Sequence, residues 1–198
     1  LFTLLGPVLW NYDPTLQDLD SISQGPSLST SALVVENPGL WGGVSLPASA
    51  VQPLNDPVEL GATNIQVEGT PTTQYVRLSW EPVPGAAYYL IYRNDHQPES
   101  SEDLGLPLGQ TLTPRELSFE DRLQLQPQTY YYTVIASDGL READTFTTEA
   151  IELMRAITIS QAIERRLPAT PGTLVELSAH PFGTDYLGRD LLARTMTG

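Results

Sequence analysis

Apolar and polar residues alternate in short runs between Gly61 and Leu153, and this pattern predicts a series of β-strands. The runs are TNIQVEG, QYVRLSWEP, AYYLIYRND, ELSFEDR, TYYYTVIASDG and TTEAIEL. In the second run Val76, Leu78 and Trp80 share one face, because successive side chains of a strand point to opposite sides. About seven short strands with turn signals in roughly 90 residues are typical of an antiparallel β-sandwich.

The tyrosine-rich run Thr129–Gly139 predicts a long strand of this sandwich. Its consecutive tyrosines, Tyr130, Tyr131 and Tyr132, are a possible stacking platform for a ligand. Alternation assigns them instead to the core and to the sheet surface, which is the interpretation we favour.

The segments that flank the sandwich have a different composition. Residues 13–60 are rich in Pro, Gly, Ser, Asp and Asn and predict an extended connector, with a strand or two and Trp41 packed on the neighbouring domain. Residues 154–179 contain TISQAIERRL, which predicts a helix with Ile163 and Leu167 on one face. Thr158 or Ser160 is its expected cap, and Gln161 completes a capping box with Thr158.

The charge balance narrows the possible partners. The chain has a net charge of −14, and its ten basic residues are all Arg. A nucleic-acid-binding surface needs a basic stripe, which this composition does not supply. Segments that stay on the cytoplasmic side of a membrane are enriched in Lys and Arg, so the balance favours an extracytoplasmic location.

Residues suited to catalysis or metal binding are sparse. The chain has no Cys, and its two histidines, His96 and His180, are far apart and lack the spacing of a zinc site. The acidic run 94–103 is expected to be a solvated loop, since it lacks the spacing of an EF-hand calcium loop. No phosphate-binding loop or nucleophile elbow is present. We therefore expect no catalytic residue, no metal site and no cofactor.

Two stretches of the sandwich region carry a family resemblance. LSWEPVPGAAYYLIYRN followed by LQPQTYYYTVIASDG resembles a fibronectin type III domain, with Trp80 as the core tryptophan of the second strand. The resemblance implies a tyrosine corner before the sixth strand. Leu125, Pro127 and Thr129 would put the corner at Tyr131, whereas strand alternation favours Tyr130, and both remain open.

The closing stretch HPFGTDYLGRDLLARTMTG is the most specific in the chain. Pro181 and Gly183 predict a turn, and Thr184 or Asp185 can cap a helix that begins there. Leu187 and Leu191 would then lie on one face, with Arg189 and Asp190 projecting elsewhere. By composition alone this is an amphipathic C-terminal helix that packs on its own domain.

The order of residues in this stretch resembles the C-type permease subunits of oligopeptide, dipeptide and nickel ABC importers. The matching residues are His180, Pro181, Phe182, Gly183, Thr184, Asp185, Gly188, Arg189, Asp190 and Arg194. Near the start, Tyr12, Asp13 and Pro14 fall on the segment that follows the first transmembrane helix in the same family. The preceding LFTLLGPVLW is then the end of that helix, whereas by itself it also fits a buried strand or a signal-peptide remnant.

The permease resemblance implies an organisation for the whole chain. Residues 1–12 would end the first transmembrane helix, 13–60 form the connector, 61–153 the fibronectin III-like sandwich, 154–179 a helix and connector, and 180–198 the lead-in to the second transmembrane helix. The segment would lie on the periplasmic side of the inner membrane.

The same resemblance implies the partners and a non-catalytic role in peptide transport. The expected partners are the partner permease subunit, the solute-binding protein and, through the parent protein, the ATPase subunits. The alternative is a secreted adhesion module or a carbohydrate-enzyme accessory module, which explains residues 61–153 but neither end.

Overall fold

The structure is a computed structural model that describes residues 15, 17, 25, 31–47, 59–177 and 182–197. These residues fall into two compact units, one spanning Leu33–Thr173 and the other formed by the described residues before and after it. In chain order the strands are β1 (Ser31–Val35), β2 (Ile65–Val67), β3 (Val76–Trp80), β4 (Tyr88–Asn94), β5 (Gly109–Gln110), β6 (Ser118–Asp121), β7 (Thr129–Ser137), β8 (Thr148–Glu152), β9 (Ala156–Thr158) and β10 (Leu174–Glu176). The α-helices are α1 (Ile159–Glu164) and α2 (Leu191–Thr197), and a 3-10 helix spans Ser101–Leu104.

Strands β2 to β8 form the antiparallel β-sandwich that the alternation predicted. One sheet has the order β2-β3-β6 and the other has the order β5-β4-β7-β8. The register pairs Leu78 with Phe119 in the first sheet and Ile91 with Val134 in the second. Strand β5, only two residues long, is too short to leave a periodic signal in the sequence.

The core faces agree with the expected alternation, with one difference. Val76, Leu78 and Trp80 are buried as predicted. Strand β4, however, is covered on both faces, so that its outward-facing Leu90 and Tyr92 are only 7% and 6% exposed. Tertiary packing is the reason, because Leu60, Ala143 and Leu104 of the 3-10 helix, which are far apart in sequence, belong to the same buried cluster as Leu90 and Tyr92.

The corner tyrosine is Tyr130. Its side chain is buried, and its hydroxyl accepts a hydrogen bond from the Gln126 N–H at 3.1 Å. Tyr131 lies on the opposite face of β7 and is only half-buried. The turn is therefore one residue shorter than the family spacing. Gln124, just before this turn, has a left-handed φ of 48°.

A buried carboxylate joins the inner faces of the two sheets. Asp121 on β6 accepts hydrogen bonds from Arg93 Nη1 and from the Tyr132 hydroxyl, both at 2.7 Å, and these donors belong to β4 and β7 of the opposite sheet. Its other oxygen accepts the Leu123 N–H at 2.9 Å. Burial, together with Asp121, raises the pKa of Tyr132 far above its ordinary value, so the hydroxyl remains a donor. Burial alone would lower the pKa of Arg93, but the Asp121 carboxylate raises it.

The flanking segments of the larger unit are built onto the sandwich. Strand β1 pairs in parallel with β9, with Leu33 opposite Ala156 and Val35 opposite Thr158. Within the predicted connector 13–60, residues 31–47 contain β1 and an extended segment in which Ser45 forms an isolated bridge with Glu116. Residues 1–12, most of 13–30 and 48–58 lie outside the described residues.

Helix α1 begins as predicted but ends early. Thr158 Oγ1 accepts the Gln161 N–H at 3.2 Å, and Gln161 Oε1 accepts the Thr158 N–H at 2.8 Å, which completes the capping box. The helix stops at Glu164 because Arg166 adopts a φ of 58°, and its N–H and that of Leu167 bond back to the carbonyls of Ile163 and Ala162. The predicted apolar face is wrong, since Ala162 is buried while Ile163 is 63% exposed.

We expect Asp121→Ala to destabilise the sandwich strongly. The substitution leaves the Arg93 guanidinium without its partner between the sheets, and loss of one member of a buried pair costs about 3–5 kcal/mol. Urea unfolding followed by fluorescence measures the change. The exposed Asp144 serves as the matched control, because Asp144→Asn should leave the midpoint unchanged. An equally small effect of both substitutions would contradict the bridging role.

The two neighbouring tyrosines provide a second test. Tyr130→Phe removes the hydrogen bond to the Gln126 N–H and should lower the free energy of unfolding by about 0.5–1.5 kcal/mol. Tyr131→Phe is the control and should have no measurable effect. The reverse result in thermal or urea unfolding would place the corner at Tyr131.

Candidate functional site

The closing motif is the candidate site, and the structure describes it from Phe182 to Thr197. Among the predicted motif residues, Tyr12, Asp13, Pro14, His180 and Pro181 lie outside the described residues. The remaining ones, Phe182, Gly183, Thr184, Asp185, Gly188, Arg189, Asp190 and Arg194, belong to one turn and the helix α2 that follows it.

The backbone from Gly183 to Leu191 folds back on itself. The Gly188 N–H donates to the Asp185 carbonyl at 3.0 Å, which closes a four-residue turn, and the Leu191 N–H donates to the Gly183 carbonyl at 3.1 Å. Gly183 and Gly188 have φ angles of 80° and 71°, which lie in the left-handed region that favours glycine. The two motif glycines are therefore required by the path of the chain.

The Asp185 carboxylate holds this turn together. One oxygen accepts the N–H groups of Leu187 and Arg189 at 2.9 and 3.0 Å. The other accepts Arg189 Nε at 2.9 Å and Arg194 Nη1 at 2.6 Å. Partial burial raises the pKa of Asp185, but these donors, Arg189 first among them, outweigh that effect and lower the pKa to about 2. Arg189 and Asp185 thus form an ion pair, with Arg189 Nη2 2.8 Å from Asp185 Oδ2.

Asp190 caps helix α2, which differs from our expectation. Neither Thr184 nor Asp185 starts the helix. The Asp190 side chain accepts the Ala193 N–H at 2.7 Å, and α2 begins at Leu191. Asp190 is fully buried and pairs with Thr184 across an antiparallel bridge, so it does not project into solvent. The reason is that four residues after Asp185 are used to complete the turn before any helical bond can form.

In this arrangement the carboxylates of the motif fix the positions of nearby backbone and side-chain groups. Both oxygens of Asp185 are engaged by donors, and one oxygen of Asp190 accepts the cap hydrogen bond. The described residues contain no cluster of His, Cys, Asp or Glu that could hold a metal ion. Phe182 and Tyr186 are displayed on the surface at 57% and 72% exposure. Within the described ranges, no helix is long and apolar enough to cross a membrane.

A cleft in the larger unit was not foreseen from the sequence. It encloses about 500 Å³ beside the outer face of β7, where residues 139–144 meet Glu59, Leu60 and Tyr88. Its walls come from segments about 80 residues apart, so no local sequence pattern could predict the cleft.

The strand order and register define a fibronectin type III-like β-sandwich, with three strands facing four and a tyrosine corner at Tyr130. No family model matches the chain, and no curated protein sequence matches it. The similarity to solved structures lies in about half of the chain. The FN1–FN3 domains of chicken CNTN1 are 15% identical with a TM-score of 0.39, and the alignment covers 48% of this chain and 31% of that one.

Two further solved structures show the same level of similarity. The pectate lyase PelI from Erwinia chrysanthemi, in complex with tetragalacturonic acid, is 16% identical with a TM-score of 0.37, over 46% of this chain and 28% of that one. The fn3 domain of human collagen alpha-1(XX) is 18% identical with a TM-score of 0.35, over 50% and 88%. The chain thus spans less than a third of CNTN1 FN1–FN3 and of PelI.

The pKa of Asp185 leads to a prediction on pH. A carboxyl whose folded pKa is about 2, below the ordinary value of about 3.9, stabilises the turn above pH 4 and loses this contribution as the pH falls towards 2. Amide chemical shifts of Leu187 and Arg189, followed by NMR, should therefore titrate with a midpoint near 2. Arg189→Leu should move the midpoint upwards, whereas Arg115→Leu, outside the motif, should not. A midpoint near 4 in the unsubstituted chain would contradict the geometry.

Proposed function

We propose that this chain is the extracytoplasmic part of a permease subunit of an ABC importer for peptides or a related solute. The observation that carries the proposal is the concerted use of the closing motif. Gly183 and Gly188 supply the left-handed turn positions, Asp185 collects the donors of Arg189 and Arg194, and Asp190 caps α2. The residues that resemble the family in their order therefore act together to form one turn and the start of α2.

In the proposed permease this turn sets the direction in which the chain enters the second transmembrane helix. A turn tied by several charge-assisted hydrogen bonds has fewer accessible conformations than a plain loop. Helix α2 follows it without a break, so the orientation of the turn is passed to the residues beyond. The exposed Phe182 and Tyr186 suit a position at the membrane interface, where aromatic residues are enriched.

The sandwich has a contact role in this proposal. It is a rigid insert whose loops offer surfaces to the solute-binding protein or to the partner permease. ATP hydrolysis belongs to separate ATPase subunits, so the chain itself catalyses no reaction. The fold alone leaves many functions open, which is why the proposal rests on the motif and not on the sandwich.

The experiment that tests the proposal is a topology measurement on the full-length protein. The 198 residues contain no Cys. In a full-length protein whose other cysteines are replaced by Ser, a single Leu140→Cys, at a position that is 95% exposed, therefore gives a specific label site. A membrane-impermeant maleimide should label it in intact cells with a permeabilised outer membrane. The protein should also remain in the membrane pellet after alkaline carbonate extraction. Ala136→Cys, which is fully buried, is the unlabelled control.

Two outcomes would overturn the permease proposal. Labelling only after cell lysis would place the domain in the cytoplasm. Labelling in intact cells combined with release into the carbonate supernatant or the medium would instead support the secreted module.

A further inference from the structure

The cleft beside the outer face of β7 has apolar residues on the side of the sheet. Ile135 of β7, Leu60 and Ala143 line it and are buried. Tyr88 of β4, which lies opposite Ser137 in the register, is partly buried and also lines the cleft. The volume of about 500 Å³ is within the range of about 300–1,000 Å³ that is common for small-molecule sites. The cleft is therefore large enough for a small ligand.

The rim of the cleft carries an excess of negative charge. Glu59, Glu142 and Asp144 line it and are exposed, and their carboxylates make no hydrogen bond or ion pair with another described residue. Arg141 is the only basic residue among the described residues that line the cleft, and its Nη2 is already paired with Asp138 Oδ2 at 3.1 Å. The rim thus has three carboxylates whose charge is not balanced by a neighbouring cation in the described part of the chain.

A buried phenol lies close to the same rim. Tyr92 is on the same face of β4 as Tyr88, four residues further along, and is only 6% exposed. Burial raises the pKa of Tyr92, and the nearby Glu142 carboxylate and Tyr88 raise it further, so the hydroxyl stays protonated. No other described residue forms a hydrogen bond with this hydroxyl. A polar side chain that is more than nine-tenths buried is therefore left without a hydrogen-bond partner near Glu142.

These groups select for a particular chemical class of ligand. Carboxylate and phenol oxygens accept hydrogen bonds from N–H donors, and the face of a tyrosine ring attracts a positive charge. The buried residues on the side of the sheet favour an apolar group, because contact with them removes apolar surface from water. Three carboxylates repel an anion, and they give a neutral ligand no ion pair. The cleft therefore suits a cation that carries an apolar body.

We propose that this cleft binds a small organic cation, in which an ammonium or guanidinium group is attached to an apolar body. The charged group lies near Glu142, Tyr88 and Tyr92, and the apolar body lies against Leu60 and Ile135. The other carboxylates of the rim raise the local concentration of cations. The site uses no residue of the closing motif, so it does not depend on the proposed permease function.

The test is an NMR titration of the whole chain with 2-phenylethylamine, and 2-phenylethanol is the neutral control of the same size. The amine should shift the amide signals of Ile135 and Ala143 and saturate with a dissociation constant on the order of 1 mM, as expected for so small a ligand. The alcohol should bind at least about threefold more weakly, because it has no charge. Glu142→Gln should weaken amine binding by about the same factor. Glu164→Gln on α1 changes the charge equally outside the cleft and should have no effect.

Tyr92→Phe separates a binding role from a structural role. It removes a hydroxyl that has no partner in the described part of the chain, so urea unfolding should be unchanged while amine binding is weakened about twofold or more. The amine proposal is refuted if the unsubstituted chain shows no saturable binding, or if the amine and the alcohol bind equally. It is also refuted if Glu142→Gln and Glu164→Gln bind the amine equally. Shifts spread evenly over the acidic chain, whose net charge is −14, would show non-specific attraction of counter-ions instead.

Discussion

The hydrogen bonds of the buried Asp121 carboxylate are the interactions on which the sandwich depends most directly. It belongs to one sheet, while its donors Arg93 and Tyr132 belong to the other, so its hydrogen bonds hold the two inner faces together at one fixed place. A buried ion is tolerated only where its hydrogen-bonding capacity is met. The Leu123 N–H donates to the other oxygen and ties the loop after β6 to the same point.

The tyrosine corner lies next to Asp121 and contacts the same arginine. The Arg93 guanidinium that pairs with Asp121 lies 5.0 Å from the centre of the Tyr130 ring. Tyr130 in turn anchors the chain ahead of β7 through the Gln126 N–H. One end of the sandwich is therefore held by a connected polar and aromatic group. Towards the opposite ends of β3 and β4, Trp80 packs against Tyr89 with their ring centres 5.5 Å apart.

The segments outside the sandwich are held by strand pairing and by a second carboxylate that accepts several hydrogen bonds. Strand β1 pairs with β9, and residues 44–46 hydrogen-bond to residues 115–117 beside the sandwich. The compact unit therefore runs from Leu33 to Thr173 and is larger than the sandwich alone. The closing motif again rests on a carboxylate, because Asp185 does within one turn what Asp121 does between two sheets. In both cases each oxygen of the carboxylate accepts at least one hydrogen bond, which suits a structural role.

Local sequence determined those features that depend on neighbouring residues. Strand alternation identified the core positions Val76, Leu78 and Trp80, and the capping box at Thr158 and Gln161 was readable because both groups lie within one turn. Gly183 was visible as a turn residue for the same reason, whereas the left-handed turn position of Gly188 was not predicted. Only the structure identified the corner tyrosine, because the family spacing predicted Tyr131 and strand alternation predicted Tyr130.

Tertiary structure alone decided the contacts between distant segments. Arg93 shares a face with Tyr89 and Ile91, which signals a buried charge, but its partner Asp121 is 28 residues away and only the pairing of strands brings them together. The pairing of residues 44–46 with 115–117 and the second covered face of β4 also depend on contacts between distant segments. The burial of Asp190 depends on the fold-back of the turn before it. Periodicity reports which side of an element is apolar, whereas the identity of what covers that side is set by the path of the whole chain.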